Sequence, residues 1–121
     1  MAEQANRLKR RQDFVRVAGG RRKAVAPGMV VQASATPTAS YLENTVRFGF
    51  TASRKVGGAV VRNRAKRRLR ALAQSALPEL PGGHDLVLIA RAATAERSHA
   101  LLRKDLAGCL AKLRLGAAGR R

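Results

Sequence analysis

Hydrophobic and polar residues alternate with a period of two in two stretches of the chain, residues 29–35 and 45–53. The second stretch places two sets of residues on opposite faces, the apolar Val46, Phe48, Phe50 and Ala52 and the polar Thr45, Arg47, Thr51 and Ser53. This alternation is typical of strands in a sheet that is covered on one side only. The pattern therefore predicts a sheet with an open polar face that a ligand can reach.

Apolar residues recur every three or four positions in two longer stretches, as they do along one side of a helix. The first stretch runs from about residue 59 to 77, between Gly58 as N-cap and Pro78, and the second begins at Ser98. Their apolar stripes consist of Val61, Ala65, Leu69, Leu72 and Ala76, and of Leu102, Leu106, Cys109, Leu110 and Leu113. Residues 12–18 are expected to form a short helix that ends at Gly19.

One further strand is indicated by the continuous apolar run at residues 85–91, which is typical of a strand buried on both faces. The elements then follow in the order α-β-β-α-β-α. This order predicts an α+β fold, a sandwich of helices packed on a small sheet. The length of 121 residues and the 45% of hydrophobic residues suit one domain over residues 1–121. We expect residues 1–6 and 116–121 to be flexible.

The positive charge narrows the choice of partner. The chain has 25 Lys and Arg against 7 Asp and Glu, a formal net charge of +18. A small domain with this charge repels itself unless a polyanion neutralises it, so nucleic acid is the leading partner. No apolar run is long enough to cross a bilayer, and residues 1–11 lack the apolar stretch of a signal peptide. We therefore expect a cytoplasmic protein without a membrane partner.

Residues 47–70 contain nine basic residues and no acidic residue, and most of these residues lie on the first long helix. Arg62, Lys66 and Arg70 are spaced at i, i+4 and i+8, with Asn63 and Arg67 beside them, and we expect this row to lie opposite the apolar stripe. Like-charge pairs at this spacing each destabilise a helix by roughly 0.2–0.5 kcal/mol. A surface evolved only for solubility would include Glu, so the row indicates a phosphate-binding face, and guanidinium groups bind phosphates bidentately.

Catalytic chemistry is not indicated within the chain. The seven acids are scattered without a pair that could hold a metal, and His84 and His99 are fifteen residues apart. Cys109 falls on an apolar stripe and is interpreted as a small core residue. The sequence thus predicts neither a catalytic residue nor a metal site.

The segment Gly49–Arg70 resembles the signature of the bacterial ribonuclease P protein component. The resemblance rests on Ser53-Arg54-Lys55, on Gly57-Gly58, and on Arg62-Asn63-Arg64 followed by Lys66-Arg67 and Arg70. Two further segments are similar to the family's first helix and third strand: Arg7-Leu8-Lys9 leading into Asp13-Phe14, and residues 85–91. Together they cover most of the chain from Arg7 to about Leu113.

The resemblance implies the same element order with a left-handed β-α-β crossover, although right-handed crossovers are the rule. It implies a protein subunit that assists a catalytic RNA in removing the 5′ leader of precursor tRNA, with Mg²⁺ held by the RNA. It implies RNA-subunit contacts by Arg54, Lys55, Arg62, Asn63, Arg64, Lys66, Arg67 and Arg70. It also implies a cleft for the leader, formed by the open sheet face and the first helix, with Phe14, Arg16 and Arg47.

Two positions leave alternatives open. Phe14 is either a stacking platform for a leader base or an ordinary core residue. Ala18 stands where many family members have a second aromatic, so leader binding is expected to depend more on arginines.

Two other functions also fit the net positive charge of the chain: a structural RNA-binding protein such as a ribosomal protein, and a nonspecific DNA-compacting protein.

Overall fold

The computed structural model describes residues 2–115, which form five β-strands and three α-helices. These elements are β1 (Gln4–Arg7), α1 (Arg11–Gly19), β2 (Lys23–Ala26), β3 (Met29–Ala35), β4 (Thr45–Thr51), α2 (Ala59–Ala76), β5 (His84–Ala90) and α3 (His99–Lys112). The α+β class and the six elements expected from the sequence are confirmed, and β1 and β2 are added to them. The expected flexibility of residues 116–121 falls outside the described residues.

The strands form one sheet in the order β1-β4-β5-β3-β2. β4 and β5 are parallel and are connected through α2, which is the β-α-β unit that the resemblance implies. The left hand of this crossover stays a prediction. β1 is also parallel to β4, with Gln4 opposite Thr45, so the expectation of flexibility up to residue 6 is wrong for the residues of this strand.

The main core lies between the sheet and the two longer helices. Its buried side chains come from β4, β5, α2 and α3, including Val46, Phe48, Leu86, Leu88, Leu69, Leu72, Leu102 and Leu106. α3 begins as predicted, because the Ser98 Oγ accepts a hydrogen bond from the Leu101 amide at 3.2 Å. This packing fixes α2 on the sheet and determines which of its side chains face solvent.

The opposite face of the sheet carries α1 and a smaller apolar cluster. Val17 of α1 is fully buried there with Leu8 and Val87, and Phe14 and Ile89 pack against them. The strand β5 is therefore buried on both faces, as its continuous apolar run predicted. The prediction of an open polar face was only partly right, because α1 covers the part of that face that lies over β3 and β5.

Candidate nucleic-acid interface

The outward face of α2 presents Asn63, Arg64 and Arg67, all exposed to solvent. Arg54 and Lys55 are also exposed and lie on the short 3₁₀ helix Arg54–Val56 that precedes α2. The backbone between them turns at Gly57, whose φ of 149° is one that other residues rarely adopt. These five side chains, here called the arginine face, thus project from a helix whose underside is packed on the sheet.

The row Arg62, Lys66 and Arg70 does not lie opposite the packed side of α2, and that expectation was wrong. At about 100° per residue the row lies beside the buried stripe of Ala65, Leu69, Leu72 and Ala73, about 35–115° from its centre. Arg62 and Lys66 are accordingly half-buried, and only Arg70 is exposed. Val61, expected in the buried stripe, is 37% exposed because the first turn of α2 lies outside the core.

Arg68 has a structural contact. Its Nη1 donates a 2.7 Å hydrogen bond to the carbonyl of Thr94, in the loop that follows β5. The Thr94 hydroxyl in turn donates to the Gly28 carbonyl at 2.6 Å and accepts from the Arg91 amide at 2.8 Å. Arg68 therefore attaches this loop to α2, which adds to the rigid support of the arginine face.

The buried carboxylate of Asp85 forms an ion-pair cluster with two arginines on the α1 side of the sheet. Arg47 donates from Nε to Oδ1 at 2.8 Å and from Nη2 to Oδ2 at 2.7 Å, and Arg16 also donates to Oδ2. The Thr36 hydroxyl donates to Oδ1 at 2.8 Å. Because Arg47 and Asp85 are paired in the register of β4 and β5, the sheet itself places these charges together.

Electrostatics keep this cluster ionised. Burial alone would raise the pKa of Asp85, but the hydrogen bonds from Arg47, Thr36 and Arg16 outweigh burial and hold the pKa below its usual value. The hydrogen bond to Asp85 raises the pKa of Arg47 further. Asp13 approaches the same arginines at longer distances, 3.4 Å from Arg16 and 3.5 Å from Arg47. Two acids that seemed scattered in the sequence thus meet around two arginines.

A basic groove of about 430 Å³ lies beside this cluster, between β1, the start of α1 and the loop before β4. Its lining includes Arg7, Lys9, Arg10, Asp13, Ser40 and Arg47. Arg7, Lys9 and Arg10 were not among the predicted site residues, because β1, at whose end they lie, carries no apolar period that would reveal it. The groove therefore combines a surplus of positive charge with room for a ligand.

Phe14 lies within α1 and packs against Gly49 of β4. A side chain at Gly49 would bring its Cβ within 2.5 Å of the Phe14 Cε1, so the ring needs a glycine beneath it. The ring is half-buried and belongs to the small apolar cluster with Leu8 and Val17. Phe14 therefore has a packing role on one side, and its remaining surface is accessible.

The other candidate residues for chemistry lie apart. His84 begins β5, where its Nδ1 is 3.2 Å from the Gly82 carbonyl, and His99 begins α3. Cys109 is buried in the core, as expected, and burial raises the pKa of its thiol. Within residues 2–115, no three or more His, Cys, Asp or Glu side chains come together in a way that could hold a metal. No helix in the same range is long and apolar enough to cross a bilayer.

Comparison with known proteins agrees with this architecture. The solved structure of the RNase P protein from Thermotoga maritima superposes with a TM-score of 0.69, at 25% identity, over 85% of this chain and 93% of that one. A mutant RNase P protein from Staphylococcus aureus superposes with a TM-score of 0.75 over 90% of this chain and 88% of its own, and at 24% identity shows the fold alone.

Sequence relatives agree as well. The ribonuclease P protein component of Paramagnetospirillum magneticum is 46% identical over 114 residues, which cover 93% of this chain and 86% of that protein. That of Gluconacetobacter diazotrophicus is 45% identical over 113 residues, 93% of this chain and 94% of its own. The family model described as Ribonuclease P matches residues 2–114. The resemblance seen in the sequence is confirmed, and the chain belongs to the ribonuclease P protein component family.

Proposed function

We propose that this chain is the protein subunit of ribonuclease P and assists a catalytic RNA in cleaving the 5′ leader from precursor tRNA. The observation that carries the proposal is the arginine face, with its cations held on a helix that is packed on the sheet and not on a mobile tail. A rigid array of guanidinium groups meets the phosphates of a folded RNA without first losing conformational entropy. The site of action proposed with it is the cytoplasm.

We assign binding of the RNA subunit to the arginine face, together with Arg62, Lys66 and Arg70 along its border. The exposed cations Arg54, Lys55, Arg64 and Arg67 supply phosphate contacts, and Asn63 supplies an amide for a base edge or a 2′-hydroxyl. The half-buried Arg62 supplies packing as well as charge, because its Nε is enclosed and has no hydrogen-bond partner among residues 2–115.

We assign the leader to the basic groove. Arg7, Lys9 and Arg10 line it with positive charge, and the accessible side of Phe14 offers a stacking surface nearby. We assign Arg16 and Arg47 a principal role other than leader binding, because Asp85 and Asp13 already pair with them. They hold α1 against the sheet and so fix the shape of the groove, and Arg47 also contributes to its wall.

Catalytic Mg²⁺ is assigned to the RNA subunit, where it would supply an activated water for attack on the phosphodiester. The three aspartates of this chain are poor candidates for that role, since Asp13 and Asp85 are paired with arginines and Asp105 is bound by Arg97 at 2.7 Å. The contribution of the chain is electrostatic: its cations reduce phosphate repulsion between the leader, the RNA subunit and the metal-binding site.

The RNA that is recovered with the tagged protein tests this assignment. We expect sequencing of this RNA to return one dominant structured species, the RNA subunit of the processing enzyme, together with precursor tRNAs. Recovery of ribosomal RNA would instead indicate a structural ribosomal protein. Equal recovery of duplex DNA would indicate a DNA-compacting protein.

Replacing Phe14 with Ala tests the leader groove. Because the ring is half-buried, we expect unfolding to become easier by about 1–2 kcal/mol, below the usual cost of removing a fully buried Phe. Loss of one stacked base should weaken binding of precursor tRNA to the holoenzyme about five-fold. Affinity for mature tRNA should be unchanged. An equal loss for both tRNAs would show that Phe14 acts only in packing.

A further inference from the structure

A second groove lies on the opposite side of the sheet from the basic groove, between the edge strand β1 and the helix α2. Its lining includes Asn6, Arg7, Phe48, Phe50, Arg70 and Gln74. Its volume of about 170 Å³ is similar to the roughly 150 Å³ of a cavity that takes up benzene. The groove therefore has room for one six-membered planar ring.

The floor of this groove is aromatic. The rings of Phe48 and Phe50 are stacked, with centroids 6.0 Å apart and planes inclined by 16°. Phe48 is buried in the core, whereas Phe50 is only partly buried and presents surface to the groove. A rigid ring with one accessible side is the kind of surface on which a nucleobase stacks.

Arg70 covers the same ring from the helix side. Its guanidinium carbon lies 5.8 Å from the centroid of Phe50, a loose cation–π contact. A base placed between two planes needs about 3.4 Å on each side, the spacing of stacked bases, or about 7 Å in total. Because Arg70 is exposed, a small side-chain rotation opens the contact to that width without disturbing the core.

The rim of the groove supplies polar groups suited to the rest of a nucleotide. The amides of Asn6 and Gln74 each offer a donor and an acceptor for a base edge. Arg7 adds a positive charge for a phosphate. An aromatic floor, a planar cation above it and amides at the rim match single-stranded RNA recognition, in which unstacked bases lie on aromatic and guanidinium planes.

We propose that this groove, here called the base slot, binds one unpaired nucleotide with its base between Phe50 and Arg70. The proposal rests on the proposed function and extends it, because it assigns Arg70 a stacking role in place of a simple phosphate contact. The nucleotide belongs either to the RNA subunit or to the leader of precursor tRNA, and both present the same chemistry.

Tryptophan fluorescence reports directly on the slot. The chain contains no Trp, so a Phe50→Trp variant has a single reporter that keeps the aromatic surface. We expect its emission to be quenched when a uridine hexamer binds, and to be unchanged when an abasic hexamer of equal length binds. Quenching by the isolated RNA subunit would assign the nucleotide to that RNA, and quenching only after addition of precursor tRNA would assign it to the leader. A Phe14→Trp variant gives the corresponding signal for the other groove.

Arg70→Lys provides a second measurement in the otherwise unchanged chain. It keeps the charge and removes the planar surface, and its exposed position leaves folding unaffected. We expect about five-fold weaker binding of the uridine hexamer, with an unchanged salt dependence. The matched control is Arg103→Lys, at an exposed position on α3 that lines neither groove, which should leave affinity within two-fold.

The proposal is overturned if saturating RNA subunit and precursor tRNA, shown to be bound by anisotropy of labelled RNA, leave Phe50→Trp emission unchanged. It is equally overturned if Arg70→Lys and Arg103→Lys have the same affinity for the hexamer. Cleavage assays with the unaltered chain distinguish failure of the base-slot proposal from failure of the proposed function. If the chain stimulates cleavage by the RNA subunit but the base slot gives no signal, only the base-slot proposal is overturned. If the chain does not stimulate cleavage, the proposed function is overturned.

Discussion

Replacement of Asp85 by Asn is expected to lower the free energy of unfolding by about 3 kcal/mol, with the melting temperature falling by about 10 °C. The carboxylate is fully buried, and its removal leaves the guanidinium groups of Arg16 and Arg47 without their main counterion. Loss of one partner of a buried ion pair costs about 3–5 kcal/mol, and the lower end applies because the Arg16 side chain keeps 31% exposure. Chemical denaturation at neutral pH measures this difference.

Asp13→Asn is the matched control for this replacement. Asp13 contacts the same two arginines, but at 3.4 and 3.5 Å and nearer to solvent. We expect a change below about 1 kcal/mol, as for ion pairs near the surface. Equal effects of the two replacements would show that Asp85 does not hold the cluster together.

The pH dependence of the free energy of unfolding gives a second test of the stabilising role of Asp85. Its pKa is lowered in the folded protein, so its stabilising contribution is complete above the unfolded value of about 3.9 and is lost as pH falls through the folded pKa. The unaltered chain and Asp85→Asn should therefore differ by a constant amount from pH 5 to 8, and the difference should close below about pH 4. A constant difference down to pH 2 would contradict this assignment.

Replacing both Arg64 and Arg67 with Ala should weaken binding of the RNA subunit about 30-fold at about 0.15 M salt, since each phosphate contact contributes about 1 kcal/mol through counterion release. The plot of log affinity against log salt should become shallower by about two units. Both side chains are exposed, so the fold should be unaffected. Binding titrations over a range of salt concentrations measure both quantities.

A double replacement of Arg103 and Lys104 with Ala controls for net charge. These residues are exposed on α3, away from the arginine face, and their loss removes the same two charges from the chain. We expect the affinity to fall less than five-fold. If both double variants lose affinity equally, the RNA responds to the total charge of the protein and not to the arrangement on α2.

Long periodic segments were predictable from the sequence because their packing follows from their own side chains. β4, α2 and α3 each carry enough apolar residues at one period to specify both element and buried face, and the continuous apolar run of β5 specifies a strand buried on both faces. β1 was missed because its four side chains are all exposed, so that only its pairing with β4 makes it a strand. The short strand β2 was missed because four residues are too few to establish a period.

The ion-pair cluster around Asp85 could not be predicted from the sequence. Arg47 and Asp85 are neighbours only because β4 and β5 pair in parallel in one particular register, 38 residues apart in the chain. Phe14 meets Gly49 for a similar reason, since the fold brings α1 against the sheet. Charge density along α2 could be read directly, but the partners of Arg16 and Arg47 could not be known without the topology.

Cleavage of precursor tRNA by the cognate RNA subunit at low Mg²⁺, with and without this chain, measures the central role directly. We expect the unaltered protein to stimulate cleavage strongly, and the variant lacking Arg64 and Arg67 to reach the same rate only at a higher protein concentration. Cleavage that is equally slow with and without the unaltered protein, at every concentration tested, would contradict the account.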